Sequence, residues 1–213
     1  MSFVNKCTTT KGKLRSEQVL DMLLAEQLNG KPKGKAVILV GNWRGLWRHV
    51  SRMLALGFKM EDIIIVERDA DTADSLRRRA KRLDIDCQVI TGNLEDYLET
   101  VAGVAYVEAD GVDTWGTLDK YLYAWARRNP AATISINGSA RDCHKVHLTA
   151  AAKEWGLRPR MAKVIRSVAD KKRSYRPGQH IPDLAALMTG RSIAFGTYWG
   201  RSPMYLTLIR SAA

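Results

Sequence analysis

Acidic side chains follow two apolar runs of the chain, and carboxylates in such places can do chemistry. Glu67 comes directly after the run 63–66, whereas Glu108, Asp110 and Asp113 cluster after a later run. A carboxylate at the position of Glu67 can accept both hydroxyl hydrogens of a ribose, through charge-assisted bonds worth about 1.5–3 kcal/mol each. The three clustered acids repel one another, and a metal, a proton-transfer role or a cationic substrate group would offset this. A solvated acidic turn is the alternative.

A glycine-containing segment follows the apolar run 36–40. Gly41 and Gly45 would let the backbone approach a ligand, next to the free N–H groups of a helix N-terminus. The segment matches neither G-x-G-x-x-G nor a P-loop, and an ordinary strand-to-helix turn has a similar composition. We expect Trp43 to face a ligand and Trp47, which fits the helical stripe, to lie in the core.

The third apolar run ends in Thr91 and Gly92, followed by Asn93. An Asn at this place can receive an adenine amino group, or it can cap the next helix. His144 and His147 have a metal-like spacing, but the sequence places no third ligand beside them. Surface or core histidines are therefore the better interpretation.

The strands and helices that must position these groups alternate regularly along the chain. Apolar runs without alternation are typical of strands covered on both faces, and helical stripes separate them. This rhythm predicts right-handed βαβ units and a doubly wound, mostly parallel seven-stranded α/β sheet. The predicted strands are 36–40, 63–66, 87–90, 104–107, 133–136, 161–168 and one within 193–209, with the last pair closing an antiparallel C-terminal edge.

The chain of 213 residues fits a single domain. We divide it into a loose basic tail (1–13), an N-terminal helical segment (14–30), a core (33–168), a basic insertion (169–190) and a C-terminal edge strand (191–213). Within the helical segment, the helix is expected to begin at Ser16. The helix stripe is expected to bury Val19, Leu20 and Leu24, among others. A further helix is predicted over 144–155 and a short one over 183–188.

Composition excludes several classes of protein. The chain is 46% hydrophobic and 26% charged, which argues against disorder and fibres. No run reaches the roughly eighteen apolar residues of a membrane span. Three distant cysteines without a C-x-x-C pair argue against a zinc site or a disulfide framework and indicate a reducing compartment, so we expect a cytoplasmic protein. The net charge of +12 favours a polyanionic partner, although solubility alone would also explain it.

One basic segment combines cations with an aromatic ring. Cations neutralise phosphates and a ring stacks on an unpaired base, so this pattern suggests substrate contact, with an ordinary exposed loop as the alternative. The residues concerned are Lys171, Lys172, Arg173, Tyr175 and Arg176. The other basic run, 77–82, is expected to be a solvated helix face.

Taken together, the strand order, Glu67, Gly92, Asn93 and Asp110 resemble class I S-adenosylmethionine-dependent methyltransferases, which have a Rossmann-like fold. The resemblance covers about residues 33–115 and departs from the family pattern at Leu39 and Trp43. It implies that S-adenosylmethionine binds through Gly41, Asn42 and Gly45 at its methionine part, Glu67 at its ribose, and Asn93 and Leu94 at its adenine. Trp43 and Arg68 are expected among the other cofactor-binding residues. The resemblance also implies that Asp110 lines the cofactor and reaction cleft, and that Asp110 and Asp113 are the catalytic residues, with no metal.

Three functions remain open at this point. The first is methyl transfer to a nucleic acid, RNA or DNA. The second is metal-assisted O-methylation of a small molecule, with Asp110 and Asn137 as ligands of a divalent ion. The third is a non-catalytic basic module that binds nucleic acid or protein because Trp43 fills the pocket.

Overall fold

The computed structural model describes residues 11–28, 32–41, 43–113, 117–139, 185–186, 189–199 and 203–212. The strands are β1 Lys35–Ile38, β2 Ile63–Glu67, β3 Gln88–Thr91, β4 Val104–Asp113, β5 Thr133–Ser139, β6 Ile193–Trp199 and β7 Pro203–Ile209. The helices are α1 Lys11–Leu28, α2 Leu46–Ala55, α3 Ala70–Arg82, α4 Leu94–Thr100 and α5 Thr117–Arg128, and the 3₁₀ turn Met60–Asp62 precedes β2.

The strands form one sheet in the order β3-β2-β1-β4-β5-β7-β6. Strands β1 to β5 are parallel to one another, and β7 is antiparallel to both β5 and β6. The predicted doubly wound, mostly parallel sheet is confirmed. Strand order reverses between β1 and β4, so the crevice beyond their carboxyl ends is where this architecture places a ligand.

Two hydrophobic layers cover the sheet and explain why the strand sequences do not alternate. Val37, Ile64 and Val107 face the layer that contains α4 and α5. Their neighbours Ala36 and Ile63 face the opposite layer, built by α1, α2 and α3. Because both faces are buried, the runs 36–38 of β1 and 63–66 of β2 are apolar throughout. No helix in the described ranges is long and apolar enough to cross a membrane.

The C-terminal part of the sheet differs from the expectation. Two strands, β6 and β7, come from the single segment 193–209, in which we expected one. They pair as an antiparallel hairpin, and β7 inserts between β5 and β6, so β6 and not the last strand is the edge. The predicted strand 161–168 and helix 144–155 lie outside the described residues. In the predicted helix 183–188, the described residues 185 and 186 are helical.

Two details of the helices also correct the sequence predictions. Helix α1 begins at Lys11 and not at Ser16, and its Val19 is 55% exposed while Leu20 and Leu24 are buried. Trp47, predicted to lie in the core, is 53% exposed. The buried face of α2 is completed instead by Leu46, His49, Val50 and Met53.

Candidate active site

The backbone after β1 is open to a ligand. Gly41 has a φ of +68°, a left-handed conformation that favours glycine, and a Cβ at this position would meet nothing within 4 Å. Gly45 then lies at the N-cap position of α2. Asn42, between them, lies outside the described residues. The predicted glycine segment therefore leaves free space at the carboxyl end of the first strand.

Glu67 ends β2, next to that space. Its Oε1 accepts a hydrogen bond of 2.9 Å from the backbone N–H of Asp69, while Oε2 has no partner among the residues that the structure describes. Asp69 caps α3 by accepting a bond of 2.8 Å from the N–H of Thr72, so Glu67 is not needed as a cap. The turn thus orients the carboxylate and leaves one oxygen for a ligand. The next residue, Arg68, is exposed.

The residues after β3 are divided between surface and core. Asn93 is exposed at the N-cap position of α4, where its side-chain amide donates a bond of 3.0 Å to Asp96. Leu94 is 3% exposed and packs in the core. Only the backbone of Leu94 is therefore available to a cofactor, whereas the Asn93 side chain is accessible.

Trp43 is not enclosed in the crevice. Its indole is 41% exposed, and the guanidinium carbon atoms of Arg44 and Arg79 lie 5.3 and 5.8 Å from the ring centroid. Because Arg79 belongs to α3, the ring lies at the surface beside that helix. The arrangement that the non-catalytic alternative requires, an indole buried in the pocket, is absent.

Glu108 is a buried residue of β4 and does not lie in an acidic turn as we expected. The strand continues to Asp113, and Glu108 is 4% exposed. Its Oε1 accepts a bond of 3.1 Å from Arg52 and lies 3.0 Å from His49 Nδ1, and its Oε2 accepts a bond of 2.9 Å from the Tyr106 hydroxyl. These partners compensate the buried charge, so no metal or substrate is needed for that purpose.

The protonation states of this cluster follow from its contacts. Burial on its own would raise the pKa of the Glu108 carboxyl, but the charges and hydrogen bonds of Arg52 and His49 outweigh it and hold the pKa below its ordinary value. Burial, followed by the charge of Glu108, raises the pKa of the Tyr106 phenol well above its ordinary value. Glu108 is therefore ionised, and the phenol of Tyr106 stays protonated and donates a hydrogen bond to the carboxylate.

The same cluster fastens α1 to α2 and β4. Arg52 binds Asp21 with its shortest contact at 2.7 Å, and Arg48 binds Glu17 at 2.8 Å. The two acids are one helical turn apart on α1, and the two arginines are one turn apart on α2. The two ion pairs therefore bridge α1 and α2 in the same order along both helices. Arg52 also reaches Glu108 on the sheet.

The sequence analysis did not predict the two ion pairs between α1 and α2. Two acids at i and i+4 on one helix and two arginines at i and i+4 on another helix are the signal that would have suggested them. Glu17, Asp21, Arg48 and Arg52 carry this pattern. The pattern within each helix does not show that the two helices meet, because each ion pair joins residues 31 positions apart.

A small cavity lies between α1 and the carboxyl ends of β4 and β5. Asp110 points into it, and the side-chain amide of Asn137 donates a bond of 2.7 Å to its Oδ1. Asp113 ends β4 after an irregularity in the strand register. The cavity is lined by Glu17, Leu20, Arg52, Glu108, Asp110, Ser135, Asn137 and Leu206. The enclosed space is about 10 Å³, the room of one water molecule, so a substrate group reaches the Asp110 carboxylate only if this cavity widens.

Some predicted site residues cannot be placed. The basic segment Lys171, Lys172, Arg173, Tyr175 and Arg176 lies outside the described residues, as do His144 and His147. Within the described ranges, no group of three or more His, Cys, Asp or Glu residues could hold a metal ion.

Comparison with solved structures assigns the architecture, which is that of class I S-adenosylmethionine-dependent methyltransferases. Magnesium protoporphyrin IX methyltransferase from Synechocystis, solved with S-adenosylhomocysteine, matches with a TM-score of 0.55 and 13% identity, over 100% of this chain and 89% of that one. An O-methyltransferase from Bacillus cereus, also in complex with S-adenosylhomocysteine, matches with a TM-score of 0.55 and 16% identity, over 98% and 84%.

A third similar structure is precorrin-6y C5,15-methyltransferase from Geobacter metallireducens, with a TM-score of 0.50 and 11% identity, over 98% of this chain and 95% of that one. No protein-family model and no curated protein sequence matches the chain. At these identities the likeness establishes the fold. The activity of this chain has to be argued from its own residues.

Proposed function

We propose that this protein transfers the methyl group of S-adenosylmethionine to a nucleic acid. The observation that carries methyl transfer is Glu67, which ends β2 with one carboxylate oxygen unused beside the open backbone of Gly41. An acid at this place in this fold suits a ribose diol, and the uncrowded glycine suits the remainder of the cofactor. Exposed Asn93 is available to the adenine.

The chain's own residues would do the positioning. S-adenosylmethionine supplies a methyl group that is already activated by its positive sulfur, so the protein has to align the acceptor and exclude water. Asp110, fixed by Asn137, would hold the acceptor N–H or O–H and take up its proton. Leu20 and Leu206, which line the same cavity, would keep water away from the acceptor.

The choice of acceptor rests on charge. A net charge of +12 favours a polyanion, and Trp43 with its two arginines forms an exposed aromatic and cationic group.

Metal-assisted O-methylation is less well supported. Asp110 and Asn137 do meet, but through the amide nitrogen of Asn137, which is not a metal ligand.

Calorimetric titration with S-adenosylhomocysteine tests the cofactor site. We expect the wild-type protein to bind and Glu67→Gln to bind roughly tenfold to a hundredfold more weakly, because it loses a charge-assisted bond. Gln still provides an oxygen for the Asp69 amide, so the turn is preserved. Glu61→Gln, 73% exposed just before the same strand, is the control and should bind like wild type. Absence of binding by wild-type protein would refute the methyltransferase proposal.

A further inference from the structure

Two exposed indoles and two guanidinium groups share the surface at the start of α2. Trp43 is 41% and Trp47 53% exposed, and they are two of the four large hydrophobic residues exposed within the described ranges. Neither ring contributes to the buried face of α2. Large aromatic surface left in water in this way is a common feature of binding sites.

The two tryptophans are close along the chain. The carbonyl of Trp43 accepts a bond of 3.4 Å from the N–H of Leu46, and the carbonyl of Gly45 one of 3.1 Å from His49. The turn from residue 43 therefore leads directly into the helix. Trp43 lies in the turn before α2 and Trp47 in the first turn of the helix, so both exposed residues belong to the surface at the beginning of α2.

Trp43 orients the cations of this surface. Arg44 and Arg79 both approach its ring, at 5.3 and 5.8 Å. At these distances both guanidinium groups lie within cation–π range of the ring, and the N–H donors of a guanidinium can bind phosphate oxygens. Arg79 has no carboxylate partner in the part of the chain that the structure describes. Trp43 thus holds two phosphate-binding groups in place, while the Trp47 ring stays accessible.

We propose that Trp43, Arg44, Trp47 and Arg79 form a binding surface for single-stranded nucleic acid. The arginines would bind backbone phosphates, and Trp47 would stack on a base. A base has to be unpaired to expose its face, so the ligand is single-stranded. Because Trp43 lies two positions after Gly41, a strand bound here would lie beside the cofactor crevice. The inference rests on the proposed function for its link to catalysis, but the surface can be tested without it.

Fluorescence anisotropy with short labelled single-stranded DNA and RNA of mixed sequence, titrated over a series of salt concentrations, tests the surface. The Arg44→Gln/Arg79→Gln variant should bind more weakly, with a log K against log salt slope reduced by roughly 1.4, about 0.7 for each lost phosphate contact. Trp47→Ala should lose roughly tenfold in affinity without a change in this slope, because stacking carries no charge. Trp47→Phe, which retains a ring, should recover most of the loss.

A matched control removes charge elsewhere. The Lys59→Gln/Arg128→Gln variant removes two cations outside this surface, one from an exposed ion pair with Glu61 and one from an exposed pair with Glu99. We expect a smaller change of slope from this control variant than from Arg44→Gln/Arg79→Gln. A duplex of the same sequence should be insensitive to Trp47→Ala, since its bases are already stacked.

Several outcomes overturn the inference. It is wrong if wild-type protein does not bind the oligonucleotides, or if the arginine variant changes the salt slope no more than the control variant does. It is also wrong if Trp47→Ala binds like wild type, or if anionic lipid vesicles bind and the oligonucleotides do not. S-adenosylhomocysteine titrations of the same samples test the cofactor site separately. Cofactor binding without oligonucleotide binding refutes this surface and the nucleic-acid acceptor but leaves the cofactor site standing, whereas oligonucleotide binding without cofactor binding refutes the methyltransferase alone.

Discussion

Asp110 accepts a hydrogen bond of 2.7 Å from the side-chain amide of Asn137, the residue directly opposite it on β5. The two side chains lie on the same face of the sheet and line the same cavity. Strand pairing therefore sets the position of the Asp110 carboxylate before any substrate arrives. A carboxylate held in this way is preorganised to orient an acceptor.

Substitution of Asp110 should lower methyl transfer more than substitution of Asn137. We expect Asp110→Asn to reduce single-turnover methyl transfer by roughly 100-fold, the usual contribution of a general base. Asn137→Ala, which removes only the positioning bond, should reduce it by roughly tenfold and shift its pH profile. The measurement uses radiolabelled S-adenosylmethionine and single-stranded oligonucleotides. Equal losses in both variants, accompanied by a lower melting temperature, would indicate a purely structural role.

The ionic cluster around Glu108 should make the fold sensitive to acid. Because the Glu108 pKa is held below its ordinary value, the ionised carboxylate stabilises the folded state fully above about pH 4.5. This stabilisation is lost as the pH falls below that value, since the unfolded chain takes up the proton first. Urea unfolding of wild-type protein between about pH 6 and pH 3 should show this decrease.

Glu108→Gln provides the comparison. This variant should be less stable at neutral pH by about 3 kcal/mol, because Arg52 and His49 lose a buried charged partner. Its stability should then change less with pH over the acid range. The exposed Glu61→Gln variant serves as the control and should follow wild type. Parallel pH profiles for Glu108→Gln and wild type would contradict this account.

Two glycines should respond differently to substitution by alanine. Gly34 has a φ of +132°, and its Cβ would lie 2.2 Å from the carbonyl oxygen of Gly103, so Gly34→Ala should destabilise the fold by about 3 kcal/mol. Gly41→Ala meets open space and should cost only about 1 kcal/mol. Its larger effect should be on S-adenosylhomocysteine affinity. Urea unfolding of both variants should show the larger loss of stability for Gly34→Ala. Calorimetry with S-adenosylhomocysteine should show the larger loss of affinity for Gly41→Ala.

Arg191 should be more important for stability than for binding. It is buried and donates hydrogen bonds to the carbonyls of Ala126, Ala132 and Arg210, joining α5, β5 and the end of β7. We expect Arg191→Met to destabilise the protein by about 3 kcal/mol, because three buried carbonyls lose their donor. Arg191→Lys should not restore stability, since one ammonium lacks the planar arrangement of donors.

The control for this prediction is Arg128→Met. Arg128 forms an exposed ion pair with Glu99, and such pairs contribute at most about 1 kcal/mol. Urea midpoints of the two methionine variants should therefore differ clearly. Similar midpoints would mean that the carbonyls around Arg191 find other donors.

The central strands and most helices are predictable from the sequence because they are local. The run at residues 63–66 is apolar throughout, and that alone indicates a strand buried on both faces. Glu67 was identified for the same reason, since its place depends only on where β2 ends. Gly41 is similar, because the end of β1 determines it.

Glu108 and Trp47 show where local reasoning fails. The end of the apolar run at Val107 predicts that Glu108 follows the strand, but the strand continues because Arg52 and His49 on α2 compensate its charge. Trp47 matched the apolar period of α2, yet His49 takes part in the buried face. Both outcomes depend on a helix packing against a strand more than fifty positions away. The hairpin β6–β7 was missed because its turn lies inside one β-rich segment.

The paired acids and arginines that join α1 to α2 restrict how the cavity can open. Glu17 and Leu20 of α1 line the cavity at Asp110. Any displacement of α1 that widens this cavity therefore has to break the contacts of Glu17 with Arg48 and of Asp21 with Arg52. Entry of a substrate group to Asp110 is in this way coupled to the loss of two ion pairs on the neighbouring helix.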